Sequence, residues 1–584
     1  MNRKIWKALG IAVCMLALAA PRAMAETHSH MVSNDGILKQ AIKAINNSSD
    51  DNANEIILTS GFTLEGDTTE YTLRRGTTTI KGEGNTITVN PGAGIKVTGE
   101  KTTLNLGANG YDGTLTIDGK TSGGSASGNA KNAFVSVLEG ATANMYENVT
   151  LQNGEFADKA CVVIKGSDSA FNMYGGVIEN CSRAVTAESE ATFNMSMPGG
   201  EIRNCVSKNN EGGGVHVSNA TFVMSGGTIS RCKAQAYNGG GLYATNSSKI
   251  TITDGTISGC EGVWGGGLYA DNSTVTISGG TISGCKVGAG GGLFATNSSE
   301  ITISGGTISE CSTTLDTGKG GGLYAENSTI TISGGTIKDN EAAHGGGVAL
   351  TDSTVKKDEK PIRNWMVVGN KAYKTGGGIW LGEKVEWDIS DRTKQIYNNQ
   401  AIEQGADIFL EGGTSAIKLP NAANMGAKYH DSGINIDNWY NDNPRYTPSE
   451  NGQVVKANKW LNGGLSLVAS YKADPVRIEI DANGGVGGSI SQTVQKGTTV
   501  TLEAPTREGY LFKGWKDEKG NSYPAGEDGK VKITVTGDMT LTAEWKKLPS
   551  AENLPKTGDE SPVLLWGAAL AVSAAACFML RRKK

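Results

Sequence analysis

Three sets of side chains in this chain have the type and spacing to do chemistry. The first is sulfur. Six of nine cysteines, Cys181, Cys205, Cys232, Cys260, Cys285 and Cys311, recur at intervals of 24, 27, 28, 25 and 26. A thiol once per structural repeat makes a column, and a column of thiols can hold metal, pass electrons or sit buried. No CxxC pair and no matching histidine column accompanies it. The expectation is a buried stack of mostly free, slow-reacting thiols, with Asn340 continuing it. Disulfides between some members and a metal or redox ladder stay open as alternatives. The second set is aromatic: Tyr243, Tyr269, Phe294, Tyr324 and Trp380 share one offset, with His216 and Ala349 in the same column. Aligned rings can stack on sugars or on a partner's apolar surface, or on each other. They are the candidate ligand-binding strip. The third set is ionisable. Asp271 and Glu326 share a column, as an acid and base pair would, but stand two repeats apart and read as a solvated edge. Asp50-Asp51, His344-Gly345-Gly346 and Arg477-Ile478-Glu479 form no constellation, and His28 and His30 precede the repeats. No catalytic residue, metal site or cofactor is expected.

Positioning these columns requires a repeat. Glycine makes up 82 of 584 residues, without the every-third-residue spacing of collagen. Glycine triplets stand at 212–214, 239–241, 265–267, 290–292, 320–322, 345–347 and 376–378, and doublets such as 279–280 and 305–306 fall between them. A period near 25 means a solenoid. One unit reads Gly267-Leu268-Tyr269-Ala270, Asn272-Ser273-Thr274-Val275-Thr276-Ile277-Ser278, Gly279-Gly280-Thr281-Ile282-Ser283-Gly284-Cys285. Alternation points Leu268, Ala270, Val275, Ile277 and Ile282 inward and the threonines and serines outward. The chain is therefore all-β: a right-handed parallel β-helix over 55–415, with three-strand coils of about 25 residues. Roughly a dozen coils would extend on the order of 60–70 Å. Residues 26–54, with a short amphipathic helix at Ile37–Ile45, cap one end, and 416–472, carrying Trp439, Tyr440, Tyr446 and Trp460, cap the other. The repeats, with Glu341-Ala342-Ala343-His344-Gly345-Gly346-Gly347 and Asn370-Lys371-Ala372-Tyr373-Lys374-Thr375-Gly376-Gly377-Gly378, resemble the pectin-lyase-like superfamily and its autotransporter-type surface passengers. That resemblance implies a fold and not an activity.

A different pattern fills 473–547. Pro505-Thr506-Arg507-Glu508-Gly509-Tyr510-Leu511-Phe512-Lys513-Gly514-Trp515 and Asp538-Met539-Thr540-Leu541-Thr542-Ala543-Glu544-Trp545 resemble an internalin-type B repeat, a small β-grasp-like module of bacterial surface proteins. Tyr510, Phe512, Trp515 and Trp545 are its expected core. The resemblance implies a spacer or adhesive role.

The two ends indicate where the chain goes. Arg3, Lys4 and Lys7, the apolar run Ala8–Ala20 and Ala23-Met24-Ala25 have the form of a secretory signal, residues 1–25. After a linker at 548–553, residues 554–584 hold Leu554-Pro555-Lys556-Thr557-Gly558, an apolar run at Val563–Leu580 and Arg581-Arg582-Lys583-Lys584. The order resembles the LPxTG cell-wall sorting signal of Gram-positive surface proteins, with its membrane-spanning segment. It implies that a sortase cleaves after Thr557 and joins it covalently to peptidoglycan. A net charge of −5 argues against nucleic acid as a partner. The expected function is adhesion to, or recognition of, glycans or proteins of host or neighbouring cells. A polysaccharide-active lyase or hydrolase and a structural coat protein are the alternatives.

Overall fold

The computed structural model describes residues 27–548, apart from 49–52, 91, 120–132, 155–159, 197–198, 358–364, 391–393, 413, 420–433, 443–459, 463–464, 474, 496–497 and 527. The signal segment, the sorting motif, Asp50-Asp51 and Tyr446 lie outside the described residues. Contacts divide the chain into a solenoid unit reaching Lys472 and a smaller unit from Ala473 onward.

The solenoid is a right-handed parallel β-helix of about 13 turns. Each turn adds a strand to a 15-stranded sheet and one or two to a 22-stranded sheet. From Lys286 onward most turns also add a short strand to a five-stranded sheet. Pairing is parallel and in register, so like residues stack: Val275 on Ile301, Ile277 on Ile303 and Ile282 on Ile308. The inward columns are buried throughout. Phe171, Phe193 and Phe222 stack with centroids 5.6 and 5.1 Å apart, and each inward isoleucine contributes about 1.5–3 kcal/mol by leaving water. The glycine doublets do not always end a strand. Thr221–Ser230, Lys249–Ser258, Glu300–Ser309 and Thr329–Lys338 run through that corner as single bent strands, with register shifts at the bend.

Both ends are covered. A strand β1 (His28–Val32) leads into a helix α1 (Asp35–Asn47), and β1 pairs with β2 (Ala53–Leu58). The Asn34 side chain caps α1 by accepting the Ile37 N–H at 3.0 Å. Leu38, Ala41, Ile42 and Ile45 close the end of the core, and Asn46 fastens the helix to the first coil through the Thr72 carbonyl and the Arg74 N–H. At the far end Ser466–Ala473 pairs antiparallel with Ile408–Leu410, and Trp439 is buried. Reversing the strand direction there ends the parallel stack.

The second unit is built of strands. A five-stranded sheet carries a two-stranded one, with no helix among its described residues. Its core differs from expectation. Trp515 is fully buried, but the rest of the interior is mainly aliphatic: Val476, Ile478, Leu502, Val531, Ile533 and Leu541. Phe512 and Trp545 are half-buried and meet edge-to-face, and Tyr510 lies under Arg507 at 4.2 Å. The alternating strands Thr499–Glu503 and Lys530–Thr534 point Val500, Leu502, Val531 and Ile533 inward. They fill the space that a purely aromatic reading leaves out.

The triplets do more than turn. Gly265 takes φ +63°, but at Gly267 a Cβ would lie 2.6 Å from both the Gly292 carbonyl oxygen and Ile282 Cγ2 of neighbouring backbone and core. Gly267→Ala is expected to destabilise the solenoid by more than about 2 kcal/mol. Gly412→Ala, with nothing within 4 Å, should leave the melting temperature nearly unchanged. Thermal unfolding of the two variants checks this.

Candidate functional site

The candidate aromatic strip is not on the surface. Strands Leu242–Thr245, Leu268–Asp271, Leu293–Thr296 and Leu323–Glu326 place Tyr243, Tyr269, Phe294 and Tyr324 in one outward column, as spacing requires. Tyr243, Tyr269 and Phe294 stack nearly parallel, 5.2 Å apart. Yet Tyr269, Phe294, Tyr324 and Trp380 are only 5, 4, 6 and 2% exposed, and only Tyr243 is half-buried. The cover is the residue before each glycine triplet. Trp264 stacks on Phe294 at 13° and 5.7 Å, and Ala289 packs in beside it. The Lys319 ammonium lies 4.4 Å from the Trp380 ring and 5.8 Å from Tyr324. His344 leans on Trp380 and hydrogen-bonds Thr375 Oγ1 at 2.8 Å. The column is a second, outer core, and this corrects its reading as a ligand-binding strip. Burial pushes the phenol of Tyr243 up to about 12, so the strip carries no charge at neutral pH. His216 ends the stack edge-on to Tyr243, with neither ring nitrogen hydrogen-bonded, and burial pulls its pKa down to about 3.

What the strip hides, its cover exposes. Tyr237, Val263, Trp264 and Leu315 are 36, 39, 42 and 55% exposed. They form a contiguous ridge. The Val263 N–H donates to the Tyr237 carbonyl, the Gly288 N–H to Val263, and Leu315 folds over Gly288. Sequence reading passed over these residues because the segments between the cysteine column and the triplets vary in length. The signal available was their apolar character in an otherwise polar segment.

The cysteine column is inside, as burial predicted. Cys205, Cys232, Cys260, Cys285 and Cys311 are free and buried, and each thiol donates to the carbonyl two residues before it. Hydrogen bonding to the adjacent thiol and burial raise Cys232 and Cys311 well above the ordinary range. The first member differs: Cys181 is disulfide-bonded to Cys161, which lies outside the column's spacing. Past Cys311 the column turns to amides. Asn340, Asn370 and Asn399 donate side chain to side chain at 2.9, 2.9 and 2.8 Å, ending on Asp407. Burial pushes that carboxyl up to about 6 although three N–H groups donate to it. Of this ladder only Asn340 was expected.

The ionisable candidates do not converge. Asp271 pairs in register with Thr296 and accepts from Asn297 at 2.8 Å, while Glu326 pairs with Thr351 two coils on. Arg477 bonds Glu479 within the second unit. Among the described residues no group of three histidine, cysteine, aspartate or glutamate side chains could hold a metal ion. An open groove of about 1000 Å³ follows the glycine doublets, bordered by Thr116, Glu147, Thr150 and Glu201. Glu201 is engaged by Arg203 at 2.7 Å, which also holds Glu179 at 2.7 Å, so this carboxylate is committed to an ion pair. No helix among the described residues is long and apolar enough to cross a membrane. Leu554, Pro555, Lys556, Thr557, Gly558 and the run Val563–Leu580 lie outside the described residues.

Comparison with known families agrees with both units. A family described as "right handed beta helix region" matches residues 139–278 and 224–401. One described as "divergent InlB B-repeat domain" matches 476–549. No curated protein and no solved structure matches the chain. The chain is thus a right-handed parallel β-helix followed by a small sheet unit that is similar to the divergent B-repeat family.

Two outcomes follow from burial. A thiol reagent should leave Cys205, Cys232, Cys260, Cys285 and Cys311 unmodified in the native protein over minutes and modify each of them in guanidinium; fast native labelling at these positions would contradict the buried column. His216, held well below its ordinary value of 6.5, takes up its proton more readily unfolded than folded. Its contribution is therefore intact above about pH 6.5 and falls as pH drops, by up to roughly 1.4 kcal/mol per pH unit. His216→Phe should flatten the fall in urea midpoint between pH 6 and pH 4.

Proposed function

We propose that this is a secreted surface protein, joined to peptidoglycan through Thr557 by a sortase, whose solenoid recognises glycans or proteins of host or neighbouring cells. The Leu554–Gly558 motif with its apolar run and basic tail, the leader at 1–25 and the match to a B-repeat family support the surface location. The observation that carries recognition is the ridge of Tyr237, Val263, Trp264 and Leu315, an apolar band on a surface otherwise rich in threonine, serine and asparagine. Its indole is held flat by Phe294, so a ligand would meet a face already ordered. The module at 476–549 separates the solenoid from the attachment point along the chain.

Two measurements test the proposal. Mass spectrometry of wall digests should find Thr557 amide-linked to a peptidoglycan stem peptide; mature protein that keeps residues 558–584 would refute sorting. On a glycan and matrix-protein array, Trp264→Ala with Leu315→Ser should weaken binding at least tenfold while the protein stays folded, with a lowered melting temperature because Trp264 covers Phe294. Equal binding by the variant would remove the ridge from the account.

A further inference from the structure

The ridge is part of a longer line. Of the exposed large apolar side chains described in the solenoid, all but Met31 stand in the segments between the cysteine or asparagine column and the glycine corner that follows it. Tyr373 and Ile402, 42 and 70% exposed, join Tyr237, Val263, Trp264 and Leu315 there. These segments are in register, because Lys233 lies beside Glu261, and then Lys286, Ser312, Glu341, Lys371 and Gln400 follow in turn. Counted from that row, Val263, Tyr373 and Ile402 are two residues on, Trp264 and Leu315 three, and Tyr237 four. The apolar side chains therefore follow the solenoid axis over seven coils, roughly 29 Å at about 4.8 Å per coil. Two coils interrupt the line: Gly288, over which Leu315 folds, and the buried Ala343.

Charge and direction select what such a line can hold. The segments 233–238, 261–264, 286–289, 312–319, 341–344, 371–375 and 400–404 carry five lysines and four carboxylates. Several of these are engaged within the protein: Lys233 with Glu261 at 2.7 Å, Lys319 on the Trp380 ring, Lys371 on the Tyr373 ring, and Glu341 with the Tyr373 hydroxyl. A surface so nearly balanced draws neither a polyanion nor a polycation. Direction excludes an extended peptide. Strands here already have neighbours in the coils on both sides, as Ser312–Thr313 has Lys286–Val287 and Glu341–His344. A peptide laid along the line would cross these strands instead of adding to one, and its N–H and C=O groups would find no ladder. A chain of neutral sugars has no such ladder to satisfy. It presents C–H faces to indole and phenol rings and hydroxyls to polar side chains, and Gln235, Asn238, Thr314 and Gln404 stand in the same segments.

We propose that this line binds an uncharged, linear polysaccharide laid along the solenoid axis. Trp264 and Tyr237 stack on sugar rings at one end, and Tyr373 and Ile402 touch a more distant part of the same chain. The proposal rests on the recognition reading above and narrows it to one class of ligand.

Titration calorimetry of residues 26–553 with length series of neutral β-1,4-linked glucan, mannan and xylan oligomers tests it, with polygalacturonate and hyaluronate as acidic controls. At least one neutral series should bind, with Kd falling at least tenfold from its shortest to its longest member and staying constant from low to high salt. Ile402→Ser, at an exposed position, should weaken the long oligomers at least threefold and leave the short ones unaffected. Trp264→Phe, which keeps a ring over Phe294, should weaken both. Preferential, salt-sensitive binding of the acidic chains, or no binding of any neutral series, would overturn the proposal. If matrix proteins bind through the ridge while no sugar chain does, recognition by the ridge stands and the polysaccharide is refuted. If Trp264→Ala with Leu315→Ser binds every probe as the wild type does, both fall.

Discussion

Every part of this molecule answers to one constraint: each coil must lie on the next at about 4.8 Å with its backbone hydrogen bonds in register. Parallel ladders of this kind place residue on residue, so any side chain meets the occupant of the same position one coil away. Aliphatic columns then fill the interior. Phenylalanines sit on phenylalanines and thiols on thiols, and where the thiols stop, asparagines bond to asparagines until Asp407 ends the series. The glycine triplets follow from the same constraint, because a Cβ there would enter the carbonyl row of the adjacent coil.

Stacking also explains why an outward aromatic column did not become a binding strip. Rings one coil apart exclude water from each other's faces, and a wall of such rings on the surface would leave a large apolar area wet. The connecting segments close over it with Trp264, Ala289, Lys319 and His344. Beyond this cover, Tyr237, Val263, Trp264 and Leu315 are among the large apolar side chains left exposed. Ion pairs between coils, such as Lys233 with Glu261 at 2.7 Å, decorate exposed edges and add at most about 1 kcal/mol each. They adjust the surface without determining the stack.

Much of the architecture was legible because the repeat says the same thing many times. Val275, Ile277 and Ile282 face inward as alternation requires, and Ile37–Ile45 lies within α1. Features that occur once, or in segments of varying length, were not legible. The bent strands through the glycine doublets escaped notice because a doublet reads equally as a turn or as a bulge. Cys161 stands outside the column's spacing, so its bond to Cys181 had no periodic signal. Burial of the aromatic column depends on what precedes each triplet, where Asn238, Trp264, Ala289, Lys319 and His344 share no chemistry. In the small unit the aromatic residues of the motif drew attention from the aliphatic strands that make most of the core.

Register is the claim on which the rest depends, and spin labels can measure it. Thr251, Thr276, Thr302 and Thr331 occupy one outward column on successive coils. With nitroxides introduced in pairs, the free native thiols being buried, the separation from position 251 should grow in equal steps of about 4.8 Å through 276, 302 and 331. Unequal steps, or a pair at 251 and 276 no closer than one at 251 and 331, would contradict in-register stacking and the account built on it.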